Sequence, residues 1–234
     1  MADSSPPGRT FRGQSQEERV AQRRRQLLDA GLSQFGTRGY HAVSVRDVCT
    51  EAKLTERYFY ESFQNREALF LAVYNEGVER VRDAMVQAVA GAEREVTQVA
   101  RASVRAYFAT LRQEPLLARV LLFDVLTIGA EAGNRSLMAT TSFGDMVAAI
   151  IEDLYPELRR HKLDPHWIGN ALVGAAVFMA MQWVMSDFKA PIEHMVENCA
   201  VLVDGLVALV RAQNDARDAS PRSSRRKASE REVS

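Results

Sequence analysis

An all-α fold is predicted by two observations. Apolar residues recur at helical spacing in one segment after another from Gln16 to Val210, with Gly, Pro, Ser, Asn or Asp at many of the junctions. Within the first third, Ser44–Phe63 (SVRDVCTEAKLTERYFYESF) reads as two short helices joined by a tight turn, which is a helix-turn-helix. The expected architecture is an N-terminal three-helix domain, residues 17–66, joined by a long helix to a second helical domain, residues 67–214.

Taken in order, Met1–Gln16 is rich in Ser, Pro, Gly and Arg without periodicity and is expected to be a disordered arm. Its Arg9 and Arg12 belong either to a solvated tail or to an arm that reaches DNA. The first helix is expected from about Gln16 to Gly36, with Leu27, Leu28, Gly31 and Phe35 inward. Arg23, Arg24 and Arg25 cluster near its start, as a solvated face or as phosphate contacts. Gly39-Tyr40 supplies the bend.

Ser44 and Asp47 then form a capping-box start, in which the hydroxyl takes an orphan amide and the carboxylate sits on the positive helix end. Val45, Val48, Cys49 and Ala52 share one face of the helix that follows. Thr55 signals the second short helix, through about Glu61, anchored by Leu54, Phe59 and Phe63. This leaves Thr55, Glu56, Arg57, Tyr58 and Tyr60 free to face outward. Short polar groups, a cation and phenols are what a DNA-reading helix needs for bases and phosphate oxygens.

A long helix starts at Asn65-Arg66-Glu67 and carries apolar pairs as far as Ala88/Val89. Gly91 loosens the chain before Val96–Arg112, whose stripe includes Val104, Tyr107, Phe108 and Leu111. Leu116–Gly129 is apolar on several sides and is expected to be buried. Asn134–Leu154 forms the next helix, with Pro156 after its end. Asp164-Pro165 starts a helix to about Asp187. Its stretch Ala171–Met181 has no polar side chain, yet it is shorter than the roughly 18 to 20 residues of a membrane span, so an interior helix covered on two faces is expected. Pro191 starts the last helix, with a broad apolar stripe to Val210. Residues 215–234 are expected to be a disordered polar tail, and their Arg225-Arg226-Lys227 cluster reads as a solvated run.

The run Gln26–Leu69 resembles the N-terminal domain of TetR-type transcriptional repressors. The resemblance is carried by Leu27, Leu28, Ala30, Phe35, Gly39, Tyr40, Ser44, Val45, Val48, Ala52, Tyr60, Phe63, Glu67 and Leu69, with equivalent residues at Leu54, Thr55 and Arg66. Gly31 and Cys49 stand where that family prefers Ala, and Arg57 where it often has a small residue. Lys53 occupies the turn position where the family has Gly, a place that asks for positive φ. The rest of the chain is similar to the family only in length and helical character.

The resemblance implies a DNA-binding regulator of transcription, a repressor, acting as a homodimer on an inverted repeat in double-stranded DNA. DNA contacts are then expected from Ser44, Arg46, Thr55, Glu56, Arg57, Tyr58, Tyr60 and Arg66. The last two helices are expected to pair across a two-fold axis through Leu172, Met179, Met195, Cys199, Leu202 and Leu206. A small, mostly apolar ligand is expected among Phe108, Phe123, Met146, Phe178 and Gln182, displacing the long helix and releasing the operator. An architectural helix-turn-helix protein without ligand control is the alternative.

Composition fits this picture without demanding it. The 234 residues are 47% hydrophobic and 26% charged, with net charge zero. Residues 1–66 hold 11 basic against 8 acidic side chains, residues 67–214 hold 13 against 18, and residues 215–234 hold 6 against 4, so only the two ends favour a polyanion. Cys49 and Cys199 lie in apolar stripes as small buried hydrophobes. His41, His161, His166 and His194 have no partner at metal-ligand spacing, and no metal or cofactor is expected. No phosphate loop, nucleophile elbow or matched carboxylate pair favours an enzyme. With no apolar leader at the N-terminus, a cytoplasmic protein is expected.

Overall fold

The computed structural model describes residues 15–93, 95–154 and 163–219. The expectations for Arg9, Arg12, Pro156, His161 and Arg225–Lys227 lie outside them. Among the described residues there are nine α-helices and no strand: α1 Gln16–Arg38, α2 Val45–Ala52, α3 Glu56–Ser62, α4 Arg66–Ala90, α5 Val96–Gln113, α6 Pro115–Leu122, α7 Ala130–Leu154, α8 Pro165–Met185 and α9 Ile192–Ala219.

Local chemistry sets most helix starts. Ser15 and Glu18 close a capping box on α1, and Ser44 and Asp47 close one on α2. Asn65 accepts from the Ala68 amide to start α4, and Asp164 accepts from the His166 amide ahead of Pro165. Thr55 holds the N-cap position of α3 without a side-chain hydrogen bond, so that start depends on the turn before it. Lys53 supplies that turn at φ 55°, ψ 39°, the left-handed conformation usually left to Gly. The Leu54 amide closes it onto the Cys49 carbonyl at 2.9 Å.

Three boundaries differ from the sequence expectation. Gly36 continues α1 to Arg38, because the absent side chain lets Leu116 of α6 lie against it. A Cβ on Gly36 would fall 2.6 Å from the Leu116 Cβ and 2.7 Å from its carbonyl oxygen. The apolar segment Leu116–Gly129 is not continuous buried helix, since α6 ends at Leu122 and a 3-10 turn follows at Asp124–Leu126. Leu116 is 39% exposed and Leu126 is 57% exposed. Finally, α9 runs to Ala219, past the expected tail boundary at 215.

Two cores result. Leu27, Phe35, Tyr40, Val48, Phe59 and Phe70 hold α1–α4 together, with Phe35, Tyr40 and Phe70 mutually packed at ring-centroid distances of 5.3–5.7 Å. Val120 and Val125 reach into the same core from α6 and the 3-10 turn. A second core joins α5, α6, α8 and α9 through Phe108, Leu111, Ala118, Trp183, Met195 and Cys199.

The expectation that α8 is covered on two faces is corrected. It packs tightly on α7, where a Cβ on Gly169 would lie 2.3 Å from the Gly144 carbonyl oxygen. Only 17% of its most apolar window is buried, and Trp167, Phe178 and Met185 face outward.

Candidate functional site

The helix-turn-helix presents one polar face. Ser44, Arg46, Thr55, Glu56, Arg57 and Tyr60 are exposed, Tyr58 and Arg66 are half-buried, and the fully buried Phe59 anchors α3 beneath them. Arg57 is 85% exposed and pairs only with Glu61 one turn on, at 3.2 Å, so its guanidinium is free to reach outward. At the start of α2, Asp47 accepts from the Ser44 hydroxyl at 2.6 Å and from the Ser44 amide at 2.8 Å, with Arg38 at 3.3 Å. These partners hold its pKa down at about 2.

The consecutive arginines Arg23, Arg24 and Arg25 of α1 are engaged within the protein. Arg23 stacks at 4.4 Å on the Tyr58 ring, and Arg24 at 4.9 Å on the Phe63 ring. Arg25 bridges Asp29 and Glu76, whose hydrogen bonds raise its pKa. All three side chains thus hold α1 to neighbouring side chains. Arg66 is also recruited: its guanidinium lies 4.1 Å from the Tyr40 ring centre and donates to the Val43 carbonyl.

The second domain holds a largely apolar cavity of about 350 Å³ among α4, α5, α6, α7, α8 and α9. Its walls include Val78, Met85, Val104, Phe143, Ile150 and Leu206. No Asp, Glu, Lys, Arg or His lines it. Of the expected ligand residues, Met146 alone is in the wall. Phe108 is fully buried against Trp183, at a centroid distance of 5.5 Å, and Phe123 packs at the edge of the same core. Phe178 and Gln182 are on the outward face of α8. The placement of these four in the cavity is therefore corrected. A helix apolar all round carries no stripe from which its inner face can be read.

Sequence reasoning missed Tyr74, Ser103, Tyr107, Ser136 and Thr140, the polar side chains of a mostly apolar wall. The available signal was Tyr107 itself, a phenol within the buried stripe of α5. Its hydroxyl is sealed from solvent without a hydrogen-bond partner, and burial raises its pKa.

Of the residues expected between subunits, Met195 and Cys199 are buried in their own chain, where burial pushes the Cys199 thiol up to about 11. Met179 lies 3.6 Å from Cys199, and Leu172 and Leu206 line the cavity. Met195 and Cys199 thus face inward, while Leu172, Met179 and Leu206 are half-buried. Leu202 is 45% exposed, beside the outward Val201 and Leu209.

The cavity and the helix-turn-helix domain touch the same short segment. Leu121, Leu122 and Leu126 line the cavity, while Asp124 between them is buried, with its Oδ2 lacking a hydrogen-bond partner. Burial raises the Asp124 pKa, opposed by nearby Arg119 and His41. The His41 Nε2 lies 3.0 Å from the Thr127 carbonyl oxygen.

Residues 27–73 match the family described as "Bacterial regulatory proteins, tetR family". An uncharacterised HTH-type transcriptional regulator, YdgC of Bacillus subtilis, is 23% identical over 79% of this chain and 92% of its own length. The HTH-type transcriptional activator FasR of Mycolicibacterium smegmatis is 28% identical over 71% of this chain and 74% of its own. The fold is shared with the fatty acid degradation regulator FadR of Bacillus halodurans, at TM-score 0.66 and 18% identity, covering 77% of this chain and 93% of that one. It is shared too with FadR of Bacillus subtilis in complex with stearoyl-CoA, at TM-score 0.66 and 16% identity, covering 76% and 96%. With residues 27–73 matching the family and an all-helical second half, the chain carries the helix-turn-helix domain of the tetR family of bacterial regulatory proteins, the DNA-binding domain of transcriptional regulators.

Proposed function

We propose that this protein is a homodimeric repressor whose affinity for an inverted-repeat operator falls when a fatty-acyl ligand fills the cavity. The observation that carries the reading is the course of α4. This helix begins at Arg66 under the helix-turn-helix, and further along Val78, Val81 and Met85 form part of the cavity wall. A ligand that parts the cavity walls therefore acts on the helix that seats the DNA-reading element.

Thr55, Glu56, Arg57 and Tyr58 stand nearest the base edges, and Ser44, Arg46, Tyr60 and Arg66 serve the phosphate backbone. Dimerisation uses the outward face of α8 and α9, where Trp167, Phe178, Met185, Val201, Leu202 and Leu209 form an unpartnered apolar surface. Two recognition helices about 34–36 Å apart then fit successive major grooves of an inverted repeat. The size and apolar lining of the cavity suit a long hydrocarbon chain, and the FadR neighbour bound to stearoyl-CoA supports that class.

A ligand shifts the equilibrium only through different affinities for the two forms. Moving it from 99:1 to 1:99 takes about 5.5 kcal/mol, close to what burial of about 200 Å² of apolar surface in one form alone supplies. The test is fluorescence anisotropy on an operator selected from random DNA, titrated with stearoyl-CoA. Release of the DNA is the expected result. Unchanged DNA affinity at saturating ligand would favour a regulator without ligand control.

A further inference from the structure

We infer that Tyr107 reads a neutral oxygen on the ligand, so that the cavity selects a long apolar molecule carrying an uncharged carbonyl or hydroxyl over a plain hydrocarbon or a carboxylate. The inference rests on the cavity being the ligand site.

Three observations support it. The Tyr107 hydroxyl is buried with no partner, although it sits on α5 at the wall of an open space of about 350 Å³. A buried phenol left unpaired is a donor in want of an acceptor. The neighbouring phenol, Tyr74, is not among the buried polar groups left without a partner, and Ser136 acts to lower its pKa. Within the second core, the nearby Cys199 thiol is turned to the Met179 sulfur.

The charge of the partner follows from the rest of the wall. With no ionisable side chain other than the two tyrosines among the lining residues, nothing would compensate a carboxylate drawn inside. A thioester carbonyl, a ketone or an alcohol meets the hydroxyl without that cost. For the oxygen to reach the sealed hydroxyl, entry of the chain must part the packed walls.

The experiment uses the full-length protein and matched probes: hexadecanoyl-CoA against S-hexadecyl-CoA, which lacks only the carbonyl, and 2-pentadecanone against pentadecane. Affinities are measured by displacement of a bound fluorescent lipid. The wild type should prefer the oxygen-bearing member of each pair by about tenfold, the scale of one buried hydrogen bond. Tyr107→Phe should bind the two members of a pair equally and should melt no lower than the wild type without ligand, since it removes an unpaired hydroxyl. A preference that survives in Tyr107→Phe, or a wild type with no preference, overturns the assignment. Selective binding of the ketone with no binding of either CoA compound upholds Tyr107 and overturns the acyl-CoA reading alone. Failure of all four probes to bind overturns both. The wild-type comparison stands without the variant should Tyr107→Phe not fold.

Discussion

The guanidinium of Arg66 lies 4.1 Å from the centre of the Tyr40 ring and donates to the Val43 carbonyl, tying the first turn of α4 to the bend that precedes the helix-turn-helix. A side chain expected at the phosphate backbone is thereby also a brace. Arg66→Ala should lower stability by about 1–2 kcal/mol, read from urea unfolding. Arg66→Lys should recover only part, because an ammonium cannot lie flat on the ring and donate sideways at once. Unchanged stability in Arg66→Ala would show the brace to be idle.

Arg57 offers the contrast. Its side chain is 85% exposed and pairs with Glu61, so Arg57→Ala should leave stability within about 0.5 kcal/mol of the wild type. Its effect should appear in DNA binding, as a loss of about 1–3 kcal/mol at particular base pairs in a competition assay against substituted operators. A uniform loss across all sequences would assign Arg57 to the backbone.

Gly36 is where α1 and α6 meet. A methyl there would fall 2.6 Å from the Leu116 Cβ and 2.7 Å from its carbonyl oxygen, and backbone cannot step aside as a side-chain tip can. Gly36→Ala should therefore cost about 1–3 kcal/mol in chemical denaturation. The same variant should weaken communication between cavity and DNA, since it wedges apart two helices that join them.

Asp47 sets a pH dependence at the start of α2. Its folded pKa of about 2 lies below the ordinary 3.8, chiefly because the Ser44 hydroxyl and then the Ser44 amide donate to the carboxylate. Its contribution to stability is fully present above about pH 4 and is lost as pH falls toward 2. NMR titration of Asp47 should show the low value in the wild type, and Ser44→Ala should return it toward 3.8.

The proposed dimer surface is separable from the core by charge insertion. Phe178 is 61% exposed in the single chain, so Phe178→Glu should give folded monomers in analytical ultracentrifugation with helical circular dichroism intact. Cys199 is only 5% exposed, and Cys199→Glu should unfold the second domain. Persistence of the dimer in Phe178→Glu would place the interface elsewhere.

Local signals in the chain were enough to determine the helix-turn-helix. Ser44 with Asp47, Asn65 and the anchors Phe59 and Phe63 act over one helical turn, and the polar set on α3 follows from which positions the anchors turn inward. Asp164-Pro165 likewise marked the start of α8. The cavity could not be read in the same way. Its wall takes residues from six helices, α4 to α9, that are far apart in sequence, and which of their apolar positions meet is set by how the helices pack. On α8, where Ala171–Met181 has no polar side chain, only packing against α7 decides that Phe178 and Gln182 point out while Val177 and Met181 point in. Arg66 and Gly36 make the same point at closer range. Sequence placed one at a DNA contact and the other at a helix end, but the Tyr40 ring and the Leu116 backbone that define their surroundings arrive by tertiary packing, which local periodicity does not encode.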